Sequence, residues 1–272
     1  MACVEPVVGE AAAVAAVAGE RVLLVADVHA GIETGLRYER GVELDSRAAE
    51  RRDRVRSLLR RTDADRLVVL GDLAHRIAAP TGDERAELSA FVDTVTERVP
   101  LTLVEGNHDG GVAETFTDGV REIDDIDDIN DIDVIGPTGG MLGEDTDGSQ
   151  IGVVHGHTWP APELLTADVV CRGHEHPQVR LADAVGGART ERAWLRGEID
   201  PVRFLEESDD EASDGADDPP ELVVFPAFNE RSGGTWINVD GQSFLAPFLP
   251  EALPTGEAYL LDGTRLGEYR QV

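Results

Sequence analysis

Short runs of aliphatic and β-branched residues recur along the chain, and each runs into a small polar cluster. Residues 21–26 lead into Asp27, 66–70 into Gly71-Asp72, 101–104 into Gly106-Asn107, 151–154 into His155 and 169–171 into Gly173-His174. Near-continuous apolar runs of this length predict strands buried on both faces. Polar residues at the C-terminal ends of such strands stand where α/β folds place their active sites.

Helical patterns alternate with the first strands. Residues 46–61 carry Ala48, Val55, Leu58 and Leu59 on one side, with arginines mostly elsewhere. Thr81-Gly82-Asp83-Glu84 has the form of a capping box, and Leu88, Phe91, Val92 and Val95 follow at helical spacing. Beyond Gly173 the pattern predicts strands joined by turns, at 178–181, 221–225, 235–239 and 257–261. An α/β half followed by a β-rich half predicts two packed sheets flanked by helices, in one domain over 1–272. Two stretches look like acidic insertions. Residues 121–135 repeat isoleucine every third position (Ile123, Ile126, Ile129, Ile132, Ile135), a period that suits neither strand nor α-helix, so a surface stretch that pairs only at its end is expected. Residues 206–220 form an acidic loop with Ser, Gly and Pro.

Composition narrows the setting more than the chemistry. At 272 residues the chain is long enough to bury a substantial core. Lysine is absent: 24 arginines stand against 54 acidic residues, giving a formal net charge of −30. Such a surface is expected of a protein working in concentrated salt, where carboxylate self-repulsion is screened within a few ångströms. The charge therefore says little about the ligand, because in molar salt the counterion release that drives phosphate binding is largely gone. Cys3 and Cys171 make no disulfide framework, and Cys171 lies in an apolar run that predicts a buried strand residue. Residues 11–18 are apolar but lack a basic leader, which makes a poor signal peptide. No apolar run approaches the roughly 20 residues of a membrane helix. A soluble, cytoplasmic protein is expected.

All seven histidines fall in or beside five short motifs: Asp27-Val28-His29, Leu70-Gly71-Asp72 with His75, Gly106-Asn107-His108-Asp109, His155-Gly156-His157 and Gly173-His174-Glu175-His176. Imidazoles, carboxylates and a carboxamide gathered from separate segments suit borderline divalent ions such as manganese, iron or zinc. Two such ions about 3.5–4 Å apart can clamp the attacking and leaving oxygens of a phosphoryl displacement. Asp-x-His at a strand end would put both side chains on one face, as would His174 and His176, with Val28 and Glu175 turned away.

The motif set resembles the calcineurin-like metallophosphoesterase superfamily over roughly residues 21–240. The resemblance implies a four-layer αββα sandwich of two mixed sheets flanked by helices, and two divalent metals, manganese foremost with iron or zinc as alternatives. It implies that Asp27, His29 and His176 hold one metal, that Asn107, His155 and His174 hold the other, and that Asp72 bridges them. His108 would contact phosphate and protonate the leaving oxygen, with Asp109 orienting it. Of His155 and His157 one is expected to ligate; His155 ends its strand directly, leaving His157 to phosphate or to a supporting role. His75 would support the site or merely cap or pack. Glu175 is expected to support the site or lie at the surface.

Asp27-Val28-His29-Ala30-Gly31 with Glu33, Gly173-His174-Glu175-His176-Pro177, and Phe225-Pro226-Ala227-Phe228-Asn229 with Gly233-Gly234 carry a closer likeness. They are similar to archaeal phosphoesterases related to the SbcD-type nucleases and to the bacterial phosphoesterase of the ligase-associated DNA damage response. The expected activity is hydrolysis of phosphodiesters of nucleic acid or nucleotides, by attack of a hydroxide bridging the metals. A small-molecule phosphatase or cyclic-nucleotide phosphodiesterase is the alternative within enzymes, and a metal-free scaffold of the same fold the alternative outside them. Arg37, Arg40, Arg76, Arg172 and Trp159 are candidates for contact with a nucleic acid.

Overall fold

The computed structural model describes residues 4–112, 132–144, 148–183, 185–205 and 219–272. The first sheet orders its strands as they occur in the chain: β1 (Glu5–Pro6), β2 (Ala13–Val17), β3 (Glu20–Val25), β4 (Arg66–Val69), β5 (Leu101–Val104) and β6 (Ile132–Ile135). The pairs up to β3 are antiparallel and those from β3 to β6 parallel. The second sheet contains β7 (Gly140–Glu144), β8 (Gln150–Val154), β9 (Val169–Arg172), β10 (Gln178–Ala182), β11 (Ala188–Glu198), β12 (Glu221–Val224), β13 (Glu257–Leu260) and β14 (Arg265–Glu268). Its order is β14-β13-β11-β12-β9-β8-β7, with β10 paired to β11. Here β8, β9 and β12 run parallel and the other pairs antiparallel.

Strand alternation sorts the apolar runs into three cores. Leu23 and Val25 of β3, with Leu67 and Val69 of β4, face the helices. Val22, Leu24, Val68 and Leu70 face the other way, against Ile151, Val153, Val169, Cys171, Val223 and Phe225 of the second sheet. Val170, Leu222 and Val224 point outward into a third core with Phe204 and Phe248. A strand with apolar layers on both sides needs apolar residues at every position, which is why these runs do not alternate with polar ones.

Of the helices α1 (Ile32–Arg40), α2 (Ala48–Thr62) and α3 (Gly82–Thr96), α1 packs against α3, while α2 and α3 cover the first sheet. Val55, Leu58 and Leu59 of α2 and Leu88, Phe91, Val92 and Val95 of α3 pack on it. The second sheet's outer face is covered by short pieces: a 3₁₀ turn at Pro162–Thr166, α4 (Pro201–Phe204) and the segment 236–253. No helix among the described residues is long and apolar enough to cross a membrane.

Several expectations are corrected. The capping box does not form: Thr81 makes no side-chain cap bond, and the Glu84 carboxylate accepts the Arg76 backbone N–H at 2.8 Å instead. Residues 235–239 are not a strand; Trp236 makes only an isolated bridge to Gln178. Helix α1 and strand β2 were not expected. Within 121–135, Ile132–Ile135 pairs with β5 as the end of that stretch, while 121–131 and 206–218 lie outside the described residues.

Candidate metal centre

The loops that leave β3, β4, β5, β8, β9 and β12 converge at one edge of the sheet pair, and five of the non-glycine residues they carry are left-handed. Asp27, His29, Asp72, His174 and His176 have φ of 56°, 46°, 53°, 70° and 46°. Strand alternation therefore does not bring Asp27 beside His29 or His174 beside His176: β3 ends at Val25 and β9 at Arg172, and a left-handed backbone does the turning. Val28 and Glu175 do turn away, Val28 into the helix-side core and Glu175 into a buried cage. A left-handed L-residue costs about 1–2 kcal/mol, and such conformations persist where surrounding contacts over-determine them. Those contacts are present. The Asp27 and His29 N–H groups donate to the Gly71 and Asp72 carbonyls, and Phe228 and Asn229 donate to the Ala26 and Asp27 carbonyls.

Two donor groups result. Asp27, His29 and His176 each bring one ligand atom within 4.8 Å of the others, and Asp72, His155 and His174 do the same. His176 Nε2 stands 3.1 Å from Asp27 Oδ1 and 3.4 Å from His29 Nε2. Asp72 divides its oxygens: Oδ2 is 3.7 Å from His29 Nε2, and Oδ1 is 3.3 Å from His155 Nε2. Asn107 Oδ1 lies 3.3 Å from the same His155 nitrogen. His157 is half-buried, its ring 5.3 Å from that of His155 and 6.1 Å from that of His174.

Backbone carbonyls fix the ring orientations. His155 Nδ1 donates to Leu70 O at 2.8 Å and His176 Nδ1 to Gly233 O at 2.7 Å, so both rings turn Nε2 toward the centre. His108 Nδ1 meets the His75 carbonyl, and its Nε2 stands 3.8 Å from Asp72 Oδ2. His29, His75 and His108 also bring their nitrogens within 4.8 Å of one another, a group without a carboxylate.

Electrostatics agree with cation binding. Burial lowers His29 and His174 to about 3, against the pull of nearby carboxylates, so both rings are neutral at neutral pH. Burial would raise Asp27 and Asp72, yet the surrounding histidines hold both carboxyls below their usual range. His176 rises to about 9: burial opposes its charge, but the Asp27 carboxylate outweighs it. Two buried carboxylates, the neutral imidazoles of His29 and His174 and a carboxamide fit divalent cations; a bound cation would take the place of the proton that Asp27 favours on His176, since ligands must be deprotonated.

Supporting residues account for much of the precision. Asp109 does not orient His108. Its carboxylate accepts backbone N–H groups from Asp72 (2.7 Å), Leu73 (2.9 Å), Ala74 (3.2 Å) and Gly106 (2.9 Å). Glu175 is buried, not a surface residue, and accepts from Thr235 Oγ1 at 2.5 Å and Leu245 N at 2.9 Å. Glycines allow the loops to close: a Cβ on Gly71 would strike the His155 ring, and one on Gly106 would strike Asp72.

Residues of the closer likeness, Glu33, Asn229 and Gly233, act from behind the donors, with Arg51 and Arg231, which carried no signal in the sequence. Glu33 is buried and paired to Arg51 through both oxygens, at 3.0 and 2.6 Å, while Arg231 Nε lies 3.0 Å from it. Asn229 donates to the Val28 carbonyl and accepts from Arg231 N, fastening the Pro-Ala-Phe-Asn…Gly-Gly segment over the Asp27 loop. That segment delivers the Gly233 carbonyl to His176. Of the nucleic-acid candidates, only Arg40 lines the cleft over the centre. Arg172 is fully buried, Arg76 leans toward Glu84 at 3.9 Å, and Trp159 packs 6.4 Å from Phe248 in the outer core.

The family model for calcineurin-like phosphoesterases matches residues 20–178. Among solved structures the chain is similar to the nuclease MPE of Pseudomonas putida, with 18% identity, a TM-score of 0.51, and coverage of 97% of this chain and 100% of that one. It is similar at a TM-score of 0.39 and 16% identity to Yfce, a phosphoesterase from E. coli, over 91% of this chain and 97% of that one. The likeness to the Pseudomonas nuclease is one of fold. No curated protein matches the chain.

Proposed function

Because this chain belongs to the calcineurin-like phosphoesterase family, and is thus a metal-dependent phosphoesterase, we propose that it hydrolyses phosphodiesters of nucleic acid or nucleotides at a dinuclear centre. We assign Asp27, His29 and His176 to one cation, Asn107, His155 and His174 to the other, and Asp72 to both. Manganese is the first choice, with iron or zinc as alternatives. The observation that carries this reading is the division of Asp72, one oxygen facing His29 and the other His155. A cation pair bound there supplies Lewis acidity: it brings water toward ionisation near neutral pH and offsets charge on phosphoryl oxygens.

The chain's own residues do the rest. His108, with Nδ1 held by the His75 carbonyl, directs Nε2 toward the centre. In the protonated ring that Nε2–H is the proton given to the leaving oxygen. We assign His157, beside the His155 and His174 rings, to a phosphate oxygen or to support of those rings, and His75, stacked at 5.9 Å on the His108 ring, to keeping that ring in place. Residues 1–272 act as one domain in this reading, and the acidic surface suits work in concentrated salt.

The test is a substrate panel at high salt with added manganese: bis-p-nitrophenyl phosphate, p-nitrophenyl phosphate, cyclic nucleotides, and single- and double-stranded DNA and RNA. Diester hydrolysis ahead of monoester hydrolysis is expected. Preference for p-nitrophenyl phosphate or a cyclic nucleotide would replace this reading with that of a small-molecule phosphatase or cyclic-nucleotide phosphodiesterase. Inactivity on every substrate, with metals bound, would overturn it.

A further inference from the structure

A cleft of about 780 Å³ opens over the candidate centre, lined by His29, Asp72, His108 and His174 together with Arg40, Trp236 and Leu245. This is the volume range of small-ligand sites. Only three tryptophans occur in the chain. Trp194 lies in the core between the sheets and Trp159 against the outer core, whereas Trp236 is 38% exposed and Leu245 55% exposed. Tryptophan is highly buried on average, so an indole left open on the wall of a histidine-lined cleft calls for an occupant.

The indole stands on a rigid base. Thr235 and Ile237, its neighbours on either side, are both buried. Gln178 N donates to the Thr235 carbonyl at 2.9 Å and Ile237 N to the Gln178 carbonyl at 2.9 Å, and the Thr235 hydroxyl is held by buried Glu175. Glu175 also takes the backbone N–H groups of Leu245 and Ala246, so the two apolar rim residues hang from one buried carboxylate. That carboxylate lies between His174 and His176, which ties the geometry of the rim to that of the donors. Arg40, the last residue of α1, makes no ion pair among the described residues, in a chain with more than twice as many acidic residues as arginines.

From this arrangement we infer that Trp236 is a stacking platform for a nucleobase adjoining the scissile phosphate, so that the substrate is a nucleoside-bearing diester with an unpaired base. The inference rests on the phosphodiesterase reading and names the substrate class of the same site. A flat aromatic face accepts any base, because every base offers a π-face, and it accepts only one that has left its duplex stack. Arg40 supplies a cation at the cleft for a neighbouring phosphate. An oligonucleotide end meets both requirements, whereas an intact duplex offers phosphates but no unstacked base.

Binding is measured apart from turnover, with a thymidine phosphonate whose 5′ oxygen is replaced by CH2 and with its abasic counterpart, on manganese-loaded protein by calorimetry. Wild type is expected to prefer the base-bearing ligand. Trp236→Ala should weaken that ligand roughly 5- to 150-fold, the range of one base–aromatic stack, while leaving the abasic ligand unchanged. Trp236→Phe should retain most of the preference. Equal affinity for the two ligands, no binding of the thymidine ligand, or a preference that survives Trp236→Ala overturns the inference. Diester hydrolysis by the same preparations reports separately on the phosphodiesterase reading: abasic and base-bearing diesters cleaved equally well would leave that reading standing and remove this one.

Discussion

Asp109 Oδ2 accepts the backbone N–H of Asp72 at 2.7 Å, so one buried carboxylate holds the loop that presents another. With Leu73, Ala74 and Gly106 also donating to it, Asp109 binds four backbone groups and binds the His108 ring through none of them. Burial and the nearby Asp72 raise its carboxyl to about 6, a cost the fold bears to fix that loop. Asp109→Ala should lower stability by at least about 2 kcal/mol, because each buried N–H left without a partner costs about 1–3 kcal/mol. Metal content should fall with it. Thermal melting and elemental analysis check this together; lost turnover with unchanged melting and metal would make Asp109 a participant in the chemistry.

Asp72→Ala should reduce metal at both positions, since the two oxygens face different histidines. Elemental analysis after manganese loading is expected to approach two ions per chain in the wild type and to drop well below one in the variant. His155→Ala, which removes a donor on one side only, should leave the Asp27 group loaded. A tight single site indifferent to Asp72 would contradict the shared carboxylate.

His108→Ala separates proton transfer from binding. Metals should remain, and turnover should slow by on the order of 10²–10⁴-fold, the usual contribution of a positioned acid or base. A substrate with a good leaving group, such as a p-nitrophenyl diester, should lose less than an alkyl diester, because it needs no proton on departure. If the variant instead loses metal, the group of His29, His75 and His108 is a cation site in its own right.

The sequence disclosed the centre more fully than the fold around it. All five motifs carried their residues to one place because each sits directly after an apolar run, and such runs are legible without any partner. What was illegible lies in segments whose stability comes from elsewhere. Helix α1 is short and turns Ile32 and Gly35 inward beside Glu33, a carboxylate held by Arg51, so its apolar positions are too few to read as a stripe. Strand β2 is Ala-Val-Ala-Ala-Val, weak in β propensity, and forms because Ala13, Ala15 and Val17 fit the narrow space between the sheets. Trp159 drew attention by following His157 in sequence, yet its ring turns to Phe248; Trp236, sixty residues past His176, reaches the cleft because β-bridging to Gln178 brings it back.

Salt distinguishes two ways of holding a substrate. With 54 acidic residues against 24 arginines, carboxylate repulsion should destabilise the fold in dilute buffer, and salt should relieve it. Circular dichroism is therefore expected to show melting temperature rising from low to molar potassium chloride. Diester hydrolysis should rise over the same range. Contact at the metal centre and stacking on Trp236 are both short-range, and screening weakens them far less than it weakens a row of arginine–phosphate pairs. A nuclease that tracked DNA through such a row would lose affinity steeply as salt increased, because each condensed counterion it displaced would gain less entropy on entering a more concentrated solution. The arginines argue against that row: among the described residues, Arg40 and Arg231 line the cleft, Arg231 is paired with Glu33, and Arg54, Arg66 and Arg196 are committed to glutamates elsewhere. Activity that falls with salt while the circular dichroism signal holds would point to an extended phosphate track and against a site dominated by metals and one aromatic platform.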